Sequence, residues 1–529
     1  MKKSGLFILL FSLLLVGCKH CGRKKAAKDS SITTKNAYNN LFLDSSSLEN
    51  FIGKHEELEK YRDEFFDFYT HRNFEYAWFD TSGMIEQAHS FYNLQNSYIA
   101  TQNDSSIYNP QLQHLYEQQY GLLFHKKKGD TTSFYTEVWL TAQFFKYAAK
   151  VYEGNDIDAK ELGWFIPRKK IDIPATLNAL INEKSASITQ YEPLNTQYRL
   201  LEKYLATYYG LKKQARWDSI PAAKSYKMGD SSSNITLIKK RLFQYGDLKA
   251  KDTSQYFDSS LVIAVKQFQD RLGLNNSGKI GAATLKELNR PIDTLIRKLL
   301  INMERSRWML PDTAQTDRIV VNIPEYKLYV YDSGKYSFNM DVVVGTAANS
   351  TVIFNGNLRY IVFSPYWNVT EDITKREVMP AMKRNPNYLQ KNNMEITGYN
   401  NGIPQVRQKP GPNNSLGGVK FLFPNSYNIY LHDTPFKEAF ASSKRSFSHG
   451  CIRLGQPAKL AQFLLRREPQ LTADSIKTLM TLAKEKWFNA KPTVPVTIKY
   501  FTAWVDAKGL LNFREDIYGH DKKMAEKLF

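Results

Sequence analysis

Ser448-His449-Gly450-Cys451-Ile452-Arg453-Leu454, preceded by Ile429-Tyr430-Leu431-His432-Asp433-Thr434, is the part of this 529-residue chain on which its reading turns. The two strings hold two of the nine histidines and one of only three cysteines. An unassisted thiol with a pKa of about 8.5 is only a few per cent ionised near neutrality, and a positioned imidazole is the usual means of activating it. His432 lies 19 residues before Cys451, enough chain to leave a strand, cross a loop and return beside it. Spacing alone does not establish that contact, because such pairs are defined in space. Gly450 lets the backbone bend tightly next to the sulfur, and its amide and that of Cys451 can point at a developing oxyanion. Tyr430, two residues before His432, shares its strand face and offers a hydroxyl to the same end. Arg453, two residues past Cys451, either pairs with a substrate carboxylate or braces the loop. Two other readings compete: a solitary cysteine is commonly a small buried apolar residue, and His432, His449 and Cys451 are chemically suited to zinc. The zinc reading lacks a fourth ligand and any familiar metal spacing.

Working outward, the surrounding sequence reads as mostly β from near Asp317. Arg318 to Ile323 and Tyr326 to Tyr331 are strand-like with Pro324 between them, and Asp332-Ser333-Gly334-Lys335 supplies a turn before Tyr336 to Val344. Leu358 to Phe363, Asn428 to His432 and Thr493 to Val505 are further strand candidates; Pro457 to Arg467 and Ala473 to Trp487 read as helices. Asn368 to Lys420 is rich in Asn, Pro and Gly, including Pro410-Gly411-Pro412-Asn413-Asn414-Ser415, as expected of a functional loop or lid.

Upstream the periodicity is helical. Leu58, Tyr61, Phe65 and Phe68 fall on one face, and Trp139 to Tyr152 repeats the pattern, so Leu41 to Ile220 reads as a helical scaffold. Between Asn234 and Asn289 a compact unit follows. Asn234 is expected to cap a helix carrying Ile235, Ile238 and Leu242, and Ser259 or Ser260 one carrying Leu261, Val265, Phe268 and Leu272, before a short helix from Ala282 to Leu288. Pro291 opens a linking helix to about Trp308. A length prior of about 150 residues per domain agrees with three or four units, and 42% apolar residues exclude global disorder.

The net charge of +20 favours anionic partners. Nucleic acid is nevertheless not expected, because Lys2 and Lys3 precede an apolar run from Leu6 to Val16 ending Leu15-Val16-Gly17-Cys18, which reads as an export signal too short to span a membrane. From Gly22 to about Asn40 almost no large apolar residue occurs, so a tether is expected. With Cys21 beside that tether and Cys451 remote from it, no disulfide framework is expected despite the exported setting.

Three resemblances sharpen this. Leu15-Val16-Gly17-Cys18 resembles the bacterial lipobox, which implies that Cys18 is lipidated and the protein anchored at the periplasmic face of the cell envelope. Ala264-Val265-Lys266-Gln267-Phe268-Gln269 with Gly273-Leu274, Gly278-Lys279-Ile280-Gly281 and Thr284-Leu285 resembles the three-helix peptidoglycan-binding-like domain, whose fold can persist as a spacer without binding glycan. The His432 and Ser448-His449-Gly450-Cys451 strings resemble the active-site signature of the L,D-transpeptidase family, in its large multidomain branch. That resemblance implies Cys451 as nucleophile, His432 as general base and acid, and Asp433 as the residue whose carbonyl orients the imidazole. It groups Ser448, His449, Arg453 and Asn414 with substrate binding and calls for no metal or other cofactor.

The implied architecture is multidomain α+β. It comprises a signal peptide (1–17), a lipid-anchored tether (18–40), a helical scaffold (41–228), a peptidoglycan-binding-like domain (229–290), a linking helix (291–316) and a mostly β catalytic domain (317–529) with a capping insertion (368–420). The implied reaction is acyl transfer on peptidoglycan stem peptides: a Cys thioester replaces terminal D-alanine, and a diaminopimelate amine then forms a 3-3 cross-link. Acylation by carbapenems is implied with it. Glycan and stem peptides are the expected partners, with the membrane through Cys18, and a monomer is the expected state. An L,D-carboxypeptidase or other hydrolase with the same thiol, and a non-catalytic wall-binding scaffold, remain as alternatives.

Overall fold

The structure is a computed structural model that describes residues 41–80, 82–122, 131–182, 192–214, 217–222, 225–310 and 315–529. The export signal, Cys18 and the tether lie outside the described residues. By contacts the chain divides into two compact units, one including 41–96, 106–148 and 172–191 and the other 97–105, 149–171 and 192–529. The 41–228 segment expected as a single scaffold is therefore shared between them.

In the first unit the face predicted from Leu58 to Phe68 is built as a 3-10 turn, Glu56–Tyr61, running into helix Arg62–His71, with Leu58, Tyr61, Phe65 and Phe68 all buried. Helix Thr132–Ala148 is buried over most of its length. Its Glu137 is fully buried and accepts from the Ala77 and Trp78 amides and the Tyr69 hydroxyl. A buried carboxylate is retained only where such donors compensate its lost hydration.

In the second unit, helices Ser233–Gln244, Ser259–Arg271 and Ala282–Leu288 enclose a small core of Ile235, Ile238, Leu242, Leu261, Val265, Phe268 and Leu288. The caps are Ser232 and Asp258 instead of Asn234 and Ser259 or Ser260: Ser232 accepts from Asn234 N and Asp258 from Leu261 N. In each case a neighbouring capping side chain sits one or more positions earlier, and the helix starts there. Helix Ile292–Trp308 leads into the β region.

That region holds a nine-stranded sheet in the order Ser446–Ser448, Lys335–Gly345, Ile452–Leu454, Leu431–His432, Val419–Leu422, Phe354–Phe363, Lys486–Lys499, Arg318–Asn322 and Lys327–Asp332. Lys327–Asp332 also pairs with Lys335–Gly345, which closes the sheet on itself. Its inner face carries Ile319, Val321, Val342, Val344, Ile361, Phe363, Phe421, Leu431, Ile452 and Ile498, all fully or nearly fully buried.

Three elements differ from expectation. The helix from Ala473 ends at Leu479, because Trp487 and Phe488 belong to strand Lys486–Lys499, where Phe488 packs edge-on against Phe363. Thr493 to Val505 is divided between that strand and Ala503–Val505. Asn428, expected in a strand, has φ +55, so the chain turns there and only Leu431–His432 pairs. Within the irregular insertion, strands Trp367–Asn368, Ile403–Gln408 and Met394–Asn400 form a separate sheet over a core of Val369, Val378 and Val406. Val419 and Lys420, at the end of the predicted 368–420 insertion, have already rejoined the large sheet.

Candidate active site

Three short strands carry the site side by side. Lys420 pairs opposite His432 across one antiparallel ladder, and His432 pairs opposite Arg453 across a parallel one. Side chains alternate along a strand. Val419, Phe421, Leu431, Ile452 and Leu454 therefore enter the core, and Lys420, Tyr430, His432, Cys451 and Arg453 share the opposite face.

His432 is 4% exposed, and its Nδ1 lies 2.5 Å from the Asp433 carbonyl. A carbonyl only accepts, so Nδ1 carries the proton and Nε2 keeps a lone pair free to take another. Burial, helped by the Arg453 guanidinium, holds the imidazole down at about 4. The Asp433 carboxylate faces away from the ring and accepts from the Gly418 amide at 2.8 Å, the Thr434 amide at 2.7 Å and Lys437 Nζ at 2.5 Å. Gly417, at φ +61, packs against it so closely that a Cβ there would collide with the carboxyl group. The Asp433 backbone that orients the ring is thus itself fixed from its side chain.

Cys451 follows Gly450, whose φ of +113 belongs to the region that favours glycine. Its thiol faces the Asn428 carbonyl at 3.6 Å and hydrogen-bonds the Tyr430 hydroxyl and backbone amide. Burial pushes it up to about 11. No hydrogen bond joins the sulfur to the His432 ring among the described residues. The register places Cys451 diagonal to His432, one residue before the paired strand, and catalytic contacts often tighten only with substrate bound.

The loop geometry redistributes the other roles. Gly450 N donates to Ser448 Oγ at 3.1 Å, so its amide is not free for an oxyanion as expected; the Cys451 amide, which donates to no described group, and Tyr430 remain for that purpose. Ser448, expected with substrate, is buried and spends its hydroxyl on the loop, donating to the Cys451 carbonyl at 2.5 Å. Asn414, also expected with substrate, is 2% exposed: its amide nitrogen donates to the Pro365 and Lys409 carbonyls and its oxygen accepts from Leu416 N. Burial and saturation make it a brace where the insertion leaves the sheet. His449 is half-exposed and meets Glu377 of the insertion at 2.7 Å. Arg453 is half-buried, and its Nε has no partner.

Sequence reasoning missed several neighbours. Thr351 bridges Gly450 O at 2.7 Å and Gly345 N at 2.9 Å, holding the loop to strand Lys335–Gly345. The Trp367 side chain hydrogen-bonds Tyr430, and Tyr366 offers its carbonyl to Lys420 Nζ at 3.2 Å, so the residues leading into the insertion reach the site face. The signal available for Lys420 was a lysine inside the otherwise apolar string Val419-Lys420-Phe421-Leu422. No cluster of three or more His, Cys, Asp or Glu able to hold a metal occurs among the described residues.

Residues 316–482 match the YkuD family, described as the L,D-transpeptidase catalytic domain. The match contains the whole site face around Cys451 and His432. Residues 231–288 match a family described as "Putative peptidoglycan binding domain", and 63–205 one described as a scaffold domain. A curated Haemophilus influenzae protein named "Putative L,D-transpeptidase" is 33% identical over 257 residues, which cover 46% of this chain and 50% of that one. The chain thus spans about half the length of that relative. Solved L,D-transpeptidases from Stackebrandtia nassauensis and Xylanimonas cellulosilytica are 16% and 12% identical. Each covers 53% of this chain, with 97% and 99% of its own length and TM-scores of 0.21 and 0.18.

Proposed function

We propose that the protein is a peptidoglycan L,D-transpeptidase working through a Cys451 thioester. The observation that carries this reading is the shared sheet face. It sets Cys451, an imidazole with a free Nε2 and an Arg453 whose Nε has no partner together within the segment that matches that family. Both reacting groups rest neutral, the thiol near 11 and the imidazole near 4. As the sulfur attacks the carbonyl at the L-centre of diaminopimelate, His432 Nε2 takes the thiol proton. The oxyanion that forms meets the Cys451 amide and the Tyr430 hydroxyl. Collapse breaks the C–N bond, and the imidazolium returns its proton to the departing D-alanine amine. A diaminopimelate amine of a second stem then attacks the thioester, forming a C–N bond, releasing the thiol and leaving a 3-3 cross-link. The insertion, tied to the loop through Glu377 and His449, supports transfer over hydrolysis by keeping water from the thioester.

The wider reading is an anchored envelope enzyme. Cys18 carries lipid, the catalytic domain acts on the periplasmic side, and the 231–288 module holds glycan near the site. The test is intact mass and product analysis with a disaccharide tetrapeptide. The wild type is expected to give an acyl adduct on Cys451 and cross-linked dimer, and Cys451→Ala neither. Undiminished dimer from Cys451→Ala overturns the thiol mechanism, and tripeptide without dimer assigns the site to hydrolysis. A carbapenem is expected to form a lasting adduct at the same sulfur.

A further inference from the structure

Lys420 lies on the site face, on the strand next to His432, and no step of the reaction above uses it. It is half-buried, and desolvation lowers the pKa of its ammonium. Among the described residues no carboxylate comes within ion-pair distance of it. Its only hydrogen-bond partner there is the Tyr366 carbonyl at 3.2 Å. The acidic residue that acts on it electrostatically, Glu485, is committed elsewhere: its oxygens accept from Tyr366 N at 3.4 Å and Trp487 Nε1 at 3.0 Å. On the other side of His432 stands Arg453, likewise half-buried, its Nε without a hydrogen-bond partner and, among the described residues, with no carboxylate within ion-pair distance. Lys420 Nζ also lies 5.8 Å from the centre of the Trp487 ring, but neither that ring nor the carbonyl neutralises its charge; holding two half-buried cations with no carboxylate opposite either is unfavourable, and such groups are kept where an anion arrives.

We infer that Lys420 and Arg453 form a two-point cradle for a dicarboxylate donor, with Lys420 binding a stem carboxylate remote from the scissile bond. This rests on the proposed transpeptidase reading and names the chemistry of its donor. Neighbouring strands lie about 4.8 Å apart, so the two cationic residues are rooted about 10 Å apart with His432 between them. Arg453, on the strand that follows Cys451, takes the terminal carboxylate next to the bond being broken. Lys420, two strands away on a flexible stem, reaches a second one. Two carboxylates of a tetrapeptide stem fit that description, the distal carboxylate of diaminopimelate and the α-carboxylate of γ-linked glutamate. Both present the same ligand to an ammonium.

The test compares three donors on the full chain: the free acid, the form amidated at the distal diaminopimelate carboxylate and the form amidated at glutamate. For the wild type, one amidation is expected to lower kcat/KM for thioester formation at least tenfold. Lys420→Met is expected to lower it by the same factor on the free acid and to leave the sensitive amide donor unchanged. Which amide is sensitive identifies the carboxylate. Lys420→Arg is expected to retain the preference, and it supplies the test, with the wild-type donor ratios, if Lys420→Met does not fold. Equal losses of Lys420→Met on all three donors, or no loss on any, overturn the inference. A wild type that forms no adduct with any donor overturns the transpeptidase reading instead.

Discussion

Cys451 is expected to be a sluggish thiol in the free protein, and the size of the effect follows from its surroundings. Burial raises it to about 11, whereas an ordinary cysteine titrates near 8.5. At pH 7.5 the thiolate fraction falls from about one in ten to about three in ten thousand, roughly a 300-fold deficit. A more basic thiolate is also the better nucleophile, with a Brønsted slope of about 0.45, which returns roughly tenfold. The net expectation is alkylation by iodoacetamide about 20- to 30-fold slower than for the same residue in the urea-unfolded chain. The sign of the pH dependence is fixed as well. Because the pKa is raised, the rate should climb tenfold per pH unit from 7 to 10 without levelling, while the unfolded reference levels above about pH 9. Peptide mass spectrometry resolves Cys451 from Cys18 and Cys21. A native rate that is fast and flat between pH 5 and 9 would mean a standing thiolate–imidazolium pair and refute the reasoning.

Other expectations concern the supports of the site. Gly417→Ala, which combines a positive φ with a collision against Asp433, should cost about 2 to 4 kcal/mol in denaturant unfolding and lower thioester formation more than any stability-matched variant elsewhere. Asn414→Ala removes three buried hydrogen bonds and should cost about 2 to 3 kcal/mol, with KM for the donor unchanged in the molecules that remain folded; a raised KM would return it to substrate binding. Glu137→Ala orphans two buried amides and leaves the Tyr69 hydroxyl with Thr141 alone, and should destabilise the first unit by about 3 to 5 kcal/mol in thermal unfolding.

The two strings were legible because their chemistry is local: a glycine before a lone thiol and a histidine 19 residues earlier stand out without knowledge of the register. What escaped was whatever depends on register. Lys420 becomes a site residue only because it pairs opposite His432, and nothing in its own string says which strand it joins. The resemblance groups Asn414 with substrate binding, but it is buried, and burial is a tertiary property. The same holds for Gly450, whose amide looked available until the Ser448 hydroxyl was seen to take it. The end of the last predicted helix failed for a simpler reason: Trp487 suits a helix by periodicity, but the chain pairs there with strand Phe354–Phe363, where Trp487 meets Tyr360 and Phe488 meets Phe363.

The resting protonation also constrains the order of events in catalysis. With the thiol near 11 and the imidazole near 4, moving the proton before substrate attack costs roughly 7 pH units at about 1.4 kcal/mol each, or about 10 kcal/mol. A reaction at about one turnover per second has a barrier of about 17 kcal/mol, so a free ion pair would consume more than half of it. Arg453 does not remove that cost, because it favours the thiolate and disfavours the imidazolium together. Once the sulfur has attacked, the negative charge sits on the carbonyl oxygen, where the Cys451 amide and the Tyr430 hydroxyl receive it while the proton rests on His432. Proton transfer should therefore accompany S–C bond formation. Single-turnover acylation in D2O is expected to show a normal solvent isotope effect of about 2 or more, as proton transfer in the transition state requires. An effect of unity or below would place the proton on His432 beforehand and remove the case for a neutral resting pair.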